Sequence, residues 1–246
     1  MKTKRNESII GIVGLGQVGS AIWKLTNKFY KVLTKDLLED FIKEKRLDIL
    51  HVCIPYSNKF EDYIVDQINL NHPKLVIINS TTKPGTTRNI FLRTHVNTVH
   101  SPVMGVHPRL YYYLFQFPKF IGPVNRKSGL MASSHFKFMG IKTTLFNNPE
   151  ETEMAKLLDT TYYGLNIVFS KWAKEICDTN KLEFNNVYSK FNLAYNEGYS
   201  RTLPQVRRPI LKPVKGPIGG TCVVPNAIIL NEFIPNGICK LIKNAE

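Results

Sequence analysis

The sequence predicts an α/β fold in two parts: a parallel sheet covered by helices over residues 1–148, then a smaller all-helical domain over residues 149–246 built on one long helix. Three observations predict it. Short runs of Ile, Leu and Val recur through the first part, separated by stretches with helical spacing, and continuous apolar runs of this kind belong to strands buried on both faces. Three glycines, Gly14, Gly16 and Gly19, follow the first run in the spacing G-x-G-x-x-G. From Pro149 to Leu182 the interior of the chain meets a single breaker, Gly164, and only a helix takes that length.

The elements follow in order. "SIIGIVG" is the first strand, and Val18, Ile22, Trp23 and Leu25 after the glycines mark the first helix. "YKVLTKD" is a short second strand ending at Asp36. "LLEDFIKEKR" is expected to form a short helix, and "LDILHVCIPYS" a third strand that ends in a loop at Pro55. "KFEDYIVDQINLN" is helical and "KLVIINS" is another buried strand. "TTKPGTTRNIFLR" is a helix with Pro84 near its first turn, where a missing N–H does no harm. "VNTVHSPV", "KFIGP" and "IKTTLF" are further strands, and the alternation implies a parallel sheet with covered faces. Glu150, Glu151 and Glu153 crowd the start of the long helix, as suits its positive end. Ala155, Leu158, Tyr162, Leu165 and Phe169 then recur at three- and four-residue steps. "EFNNVYSKFNLAYNEGYS" continues as helix, "RTLPQVRRPILKPVKGPIGGT" is a loop, and "CVVPNAIILNEFI" is a last helix.

Composition narrows the function classes. Apolar residues make up 43% of the chain, enough for a packed core, yet no run reaches membrane-spanning length. "IIGIVGLG" is too short for a signal peptide and is explained as the first strand. Cys53, Cys177, Cys222 and Cys239 show neither CxxC pairing nor histidines at zinc spacing, so no metal is expected and a cytoplasmic location fits. The net charge of +14 is spread along the chain without a dense basic run interleaved with aromatics. That argues against nucleic acid and for a basic surface that attracts small anions.

The glycine turn carries the first chemistry. A strand, a glycine turn and a helix N-terminus form a phosphate site: one glycine makes the turn, the next lets backbone approach a pyrophosphate, the last lets helix pack on strand. Asp36 follows at about the 20-residue distance where a carboxylate meets ribose hydroxyls, which favours NAD over NADP, although Lys35 beside it weakens that preference. This is a Rossmann dinucleotide site. Its expected cofactor residues are Gly14, Gly16, Gln17, Val18, Gly19, Asp36, Pro55 and Thr81.

Four stretches in order, "GIVGLGQVG", "NSTTKPGTT", "EMAKLLDTTYYGLNIVFSKWAKEIC" and "GPIGGTCVVPN", resemble the UDP-glucose/GDP-mannose dehydrogenase family, the NAD-dependent sugar-nucleotide dehydrogenases. The resemblance covers nearly the whole chain. It implies two hydride transfers that take a hydroxymethyl group to a carboxylate through a thiohemiacetal on a cysteine, here Cys222. Gly219 and Gly220 would let backbone approach the substrate. Lys156 would match the family's oxyanion-stabilising lysine, and Thr81 a threonine that positions water or substrate. A dimer through the long helix is a family habit. Read on residues alone, Cys222 is equally a small apolar side chain, Lys156 an exposed helix lysine and Thr81 a helix cap.

The departures from the family are specific. Thr160 stands where an asparagine is usual, Asn226 where an aspartate is usual, and Val103 where a glutamate is usual. The chain also stops about where a second nucleotide-binding domain would begin. His100 and His107, in "HSPVMGVHP", offer bases that exchange protons near neutral pH. That loop also looks like the substrate loop of the β-hydroxyacid dehydrogenases. Arg207 and Arg208, with Arg201, Lys212 and Lys215 around them, offer a phosphate site. The substrate expected is a nucleotide sugar or a phosphorylated sugar. The alternatives are a β-hydroxyacid dehydrogenase and a catalytically silent protein that binds NAD or a partner.

Overall fold

A seven-stranded sheet organises the first part of the computed structural model, which describes residues 7–218 and 222–245. Its strands are β1 (Ile9–Val13), β2 (Lys31–Lys35), β3 (Ile49–Val52), β4 (Leu75–Ile78), β5 (Asn97–His100), β6 (Lys119–Pro123) and β7 (Thr143–Leu145). They lie in the order β2-β1-β3-β4-β5-β6-β7. β1 pairs β2 on one side and β3 on the other, all parallel, so the chain changes direction across the sheet beyond the C-terminal end of β1. In sheets of this type ligands bind in the crevice at that switch point. The chain divides into two units, Met1–Lys156 and Leu157–Glu246.

Helices α1 (Gln17–Thr26), α2 (Phe60–Asn71), α3 (Thr86–Thr94), α4 (Leu110–Gln116) and α5 (Arg126–Phe138) cover the sheet. Strand period decides which residue faces which layer. Leu75 and Ile77 of β4 pack with Ile22 and Leu25 of α1 and Phe136 of α5. Val76 and Ile78, one residue out of phase, pack with Phe60, Ile64 and Ile68 of α2 and Ile90 of α3. All four side chains of β4 are fully buried, each stabilising by about 1.5–3 kcal/mol.

Several expectations need correction. Residues 37–46 form no helix. Leu37 and Leu38 stand 98% and 97% exposed, so a helix there would have little to bury. The segment folds back on β2 through a bridge between Lys35 and Asp40, and Ile42 and Leu47 anchor it. β6 runs antiparallel to β5, because the 101–118 connection holds only the seven-residue α4 and re-enters the sheet at the edge it left. α4 and α5 had no sequence assignment; α5 starts with a capping box, Asn125 accepting from Ser128 N at 2.8 Å.

The second part is helical. α6 (Pro149–Thr179) starts with Asn148 Oδ1 accepting from Glu151 N at 3.0 Å and with Glu150 and Glu151 in its first turn. It ends where Leu182 N donates to Cys177 O over Lys181 in the left-handed region. That break interrupts the continuous helix expected beyond it. A π-helical turn, Asn185–Lys190, then leads into α7 (Phe191–Gly198). α8 (Val223–Phe233) stops short of Pro235, and a further helix, α9 (Gly237–Lys243), follows with Asn236 as its cap. On α6, Leu158, Tyr162 and Phe169 are more than half exposed, with Trp172 beside them at 56%.

The core holds a directed polar chain. Lys119 Nζ donates to Asn79 Oδ1 at 3.3 Å, and Asn79 Nδ2 lies 3.1 Å from His51 Nδ1. His51 Nε2 lies 3.0 Å from His135 Nε2, and His135 Nδ1 lies 3.2 Å from the Tyr30 hydroxyl. The amide donates, so His51 accepts at Nδ1 and donates from Nε2, and His135 donates from Nδ1. Both rings are therefore neutral. Burial pushes His135 and His100 down to about 3, and His51 well down as well.

Unfolded histidine binds its proton near pH 6.5. Between there and about pH 3 the unfolded chain takes up protons that the folded chain refuses, so stability falls as pH falls. Glu153, pushed up to about 7 by burial, works the other way over part of that range, and three histidines outweigh it. Urea midpoints measured from about pH 7.5 down to about pH 5 should decline steadily. His135→Leu should be less stable throughout by roughly 1–3 kcal/mol yet show a shallower pH slope; an unchanged slope would contradict the neutral-histidine assignment.

Candidate functional site

The glycine turn is built by close approach. Gly14 is left-handed, at φ +87, and a Cβ there would lie 2.8 Å from Cys53 O. Gly19, in the first turn of α1, would place a Cβ 1.8 Å from Gly14 O. Only glycine lets α1 seat this closely on β1. Gly16 differs, since its Cβ would meet nothing within 4 Å. It is also the N-cap of α1 and no side chain caps that helix end, which leaves the first-turn N–H groups facing open space beside Gln17 and Val18.

Asp36 borders the same turn. Its Oδ2 accepts from Leu15 N and its Oδ1 from Leu37 N, both at 2.9 Å. Lys35 is turned to Asp40, with Nζ 2.5 Å from Oδ2. Pro55 is exposed in the loop after β3, on the other side of the switch point. These residues fit a dinucleotide: an uncapped helix end, an open glycine and a carboxylate held at the rim.

A second cluster sits at the C-terminal ends of β4 and β5. Thr81 is half-buried at the start of the turn into α3. His100 is fully buried, with Nδ1 2.9 Å from the Thr152 hydroxyl and Nε2 3.1 Å from Ser80 O. Both ring nitrogens are engaged, so the expected role of His100 as a substitute base has no atom to perform it; burial made it a strut. His107 is exposed in the loop that follows. Val103 is buried and apolar, so no carboxylate occupies that loop position.

Lys156, half-buried on α6, is near enough for its charge to depress both His100 and Lys119. Lys119 is a cation that sequence reading passed over. Its amine donates to Ser101 O at 2.5 Å and Pro102 O at 3.0 Å, and burial pushes its pKa down to about 7. A lysine opening the apolar run "KFIGP" was the available signal. Cys53, beside it, is pushed up to about 12 by burial and is no nucleophile.

In the second unit, Cys222 is exposed at the N-terminus of α8. Asn226, one turn on, takes its N–H bond to Cys222 O at 3.0 Å and donates from Nδ2 to Thr160 Oγ1 at 3.1 Å. The two departures from the family pattern are thus one buried pair beneath Cys222. Arg208 is pinned: its guanidinium lies 3.6 Å from the Tyr195 ring centroid, and its backbone N donates to Asn196 Oδ1 at 2.8 Å. Arg207 is exposed beside it. Gly219 and Gly220 lie outside the described residues. Among the described residues no His, Cys, Asp and Glu group is arranged to hold a metal, and no helix is long and apolar enough to cross a membrane.

No protein-family model matches the chain. It is 25% identical over 232 residues to the UDP-N-acetyl-D-mannosamine dehydrogenase of Methanococcus vannielii, covering 81% of this chain and 52% of that protein. The chain spans about half the length of the curated relatives it matches. Among solved structures, the UDP-D-ManNAc dehydrogenase of Pyrococcus horikoshii superposes with a TM-score of 0.73 at 17% identity, over 96% of this chain and 68% of that one. The 3-hydroxyisobutyrate dehydrogenase of Mycobacterium tuberculosis gives 0.73 at 12% identity, over 97% of this chain and 92% of that one. At these identities the two structures share the fold. Over the part that it matches, this chain is similar in sequence to UDP-N-acetyl-D-mannosamine dehydrogenases, and it shares its fold with a solved nucleotide-sugar dehydrogenase.

Proposed function

We propose that the chain is an NAD-dependent oxidoreductase of the sugar-nucleotide 6-dehydrogenase type, acting on a nucleotide sugar or a phosphorylated sugar. The observation that carries the reading is the uncapped N-terminus of α1 over the open Gly16, with Asp36 at its rim. Bound there, NAD supplies the hydride acceptor. The first-turn N–H groups hold its pyrophosphate, and Asp36 keeps lone pairs for ribose hydroxyls. Pro55 and Thr81 line the adjoining strand ends.

The protein's own steps follow from charge. Lys156 steadies the oxygen that becomes anionic as the substrate alcohol loses its proton. Thr81 orients the alcohol. Cys222 attacks the resulting aldehyde carbon through sulfur, and the adduct's oxygen takes the proton. Thr160 and Asn226 hold the turn that carries Cys222. Arg207 and Arg208 bind phosphate. Hydrolysis of the thioester needs a base for water; Val103 and Asn226 cannot act as one and His100 is engaged, which leaves His107. The thioester itself would form when the adduct gives a second hydride to a second NAD, and its hydrolysis to the carboxylate is then slow, by on the order of 10²–10⁴ in rate, unless His107 supplies the base. The same observation supports a second reading, an NAD-binding protein without turnover. The exposed stripe of α6 supports a homodimer, and cysteines outside any disulfide among the described residues support a cytoplasmic location.

Titration calorimetry should show heat with NAD and less with NADP; no heat with either ends the cofactor reading. Gly16→Ala should melt like the wild type yet lose that heat, whereas Gly19→Ala should lose roughly 1–3 kcal/mol of stability or more, since its Cβ has no room. A panel of UDP-, GDP- and dTDP-sugars with 2- and 3-hydroxyacids, followed by NADH absorbance, separates the enzyme from the silent binder. Activity on hydroxyacids alone would assign the chain to β-hydroxyacid chemistry. Cys222→Ser should abolish carboxylate formation and leave aldehyde for a carbonyl trap; carboxylate at the wild-type rate would remove Cys222 from the mechanism.

A further inference from the structure

We propose that Glu153 is a positioning residue that clamps the 82–87 turn at the edge of the cofactor site and so sets Thr81 in place. The proposal rests on the cofactor reading for its functional meaning and on geometry for its substance. Glu153 is fully buried. Its Oε2 accepts from Gly85 N at 2.7 Å. Its Oε1 accepts from Thr87 N at 2.9 Å, from the Thr87 hydroxyl at 2.6 Å and from the Thr82 hydroxyl at 3.3 Å.

The local chain explains why a distant carboxylate is needed. α3 begins at Gly85, which is left-handed at φ +98 and has no side chain to cap the helix. An ordinary capping residue would be strained there. Glu153, 68 residues away on α6, supplies the acceptor and places negative charge at the positive end of α3. Around it the first turns of α6 hold the same edge twice more. Thr152 meets His100, and Glu150 takes Arg88 of α3 in a paired contact, Nε to Oε1 at 2.5 Å and Nη2 to Oε2 at 2.9 Å. Lys156 stands one turn further along the same helix. A single stretch, residues 150–156, therefore ties the turn after β4 and the end of β5 to the candidate oxyanion lysine.

Four donors point at the carboxylate, and the two threonine hydroxyls among them can turn to accept, so the contacts persist when the carboxyl is protonated. Burial raises the pKa of Glu153 to about 7 against the pull of those donors. The charged groups that bear on it are Glu150 on its own helix and Arg88 on α3. The closed turn holds this proton more tightly than an opened, solvated one, so closure is favoured further as pH falls through about 7.

Amide hydrogen exchange across 82–91, corrected for intrinsic rates, tests this with the full chain. In the wild type, protection at Gly85 and Thr87 should rise about tenfold from about pH 8 to about pH 6, because the closed turn holds the Glu153 proton more tightly than an opened one. Glu153→Gln should fall below the wild type at both values and show no such pH dependence, and its NAD affinity at about pH 8 should be about tenfold weaker. Glu153→Asp, which keeps the charge one methylene short, should retain part of the protection and its pH dependence. Equal wild-type protection at both pH values overturns the proposal without any variant, as does a folded Glu153→Gln protein that exchanges like the wild type. If the wild type binds no NAD, the cofactor reading falls, while the exchange data still judge the clamp.

Discussion

The seating of α1 on β1 is the constraint from which the first unit follows. A Cβ at Gly19 would stand 1.8 Å from Gly14 O, so helix and strand meet at backbone distance. That contact sets the direction of α1, packs Ile22 and Leu25 under Ile10 and Ile12, and leaves the helix end bare at the switch point between β1 and β3. Asp36 reaches the turn because β2 is in parallel register with β1, Val13 opposite Lys35. The bare helix end and the core are products of one approach. A larger side chain at Gly19 would disturb both.

Further along the sheet, satisfaction of buried polar groups takes over as the organising rule. Lys119, Asn79, His51, His135 and Tyr30 form a directed chain of donors and acceptors. Lys119 also ties down the carbonyls of Ser101 and Pro102, the base of the loop that carries Val103 and His107. Such groups stay in a core only when paired, because an unpaired one costs about 1–3 kcal/mol. His100 lies outside that chain, sealed from solvent, with its ring nitrogens 2.9 Å from the Thr152 hydroxyl and 3.1 Å from Ser80 O.

The second unit pairs its buried polar groups within itself. Thr160 and Asn226 bond to each other, so the exchange of the usual asparagine and aspartate leaves no buried charge and no orphaned amide. Arg208 is held flat on Tyr195 and braced by Asn196. A guanidinium fixed in this way loses little entropy on meeting a phosphate.

The sequence by itself determined the seven strands in order, the glycine turn and its carboxylate, and the long helix, because each is written in local periodicity and in residues such as glycine whose backbone freedom is intrinsic. Gly14, Gly16, Gly19 and Asp36 were legible for that reason. It misjudged residues 37–46, whose helical spacing had no partner surface to bury. It also took the direction of β6 from alternation alone, and missed α4 and α5. Only the tertiary structure decided that Glu153 caps a helix 68 residues away, that Lys119 turns inward, and that His100 is a strut. Spacing reports which residues share a face of one element. Which buried donor meets which acceptor is set by elements far apart in the chain, and no local pattern encodes that pairing.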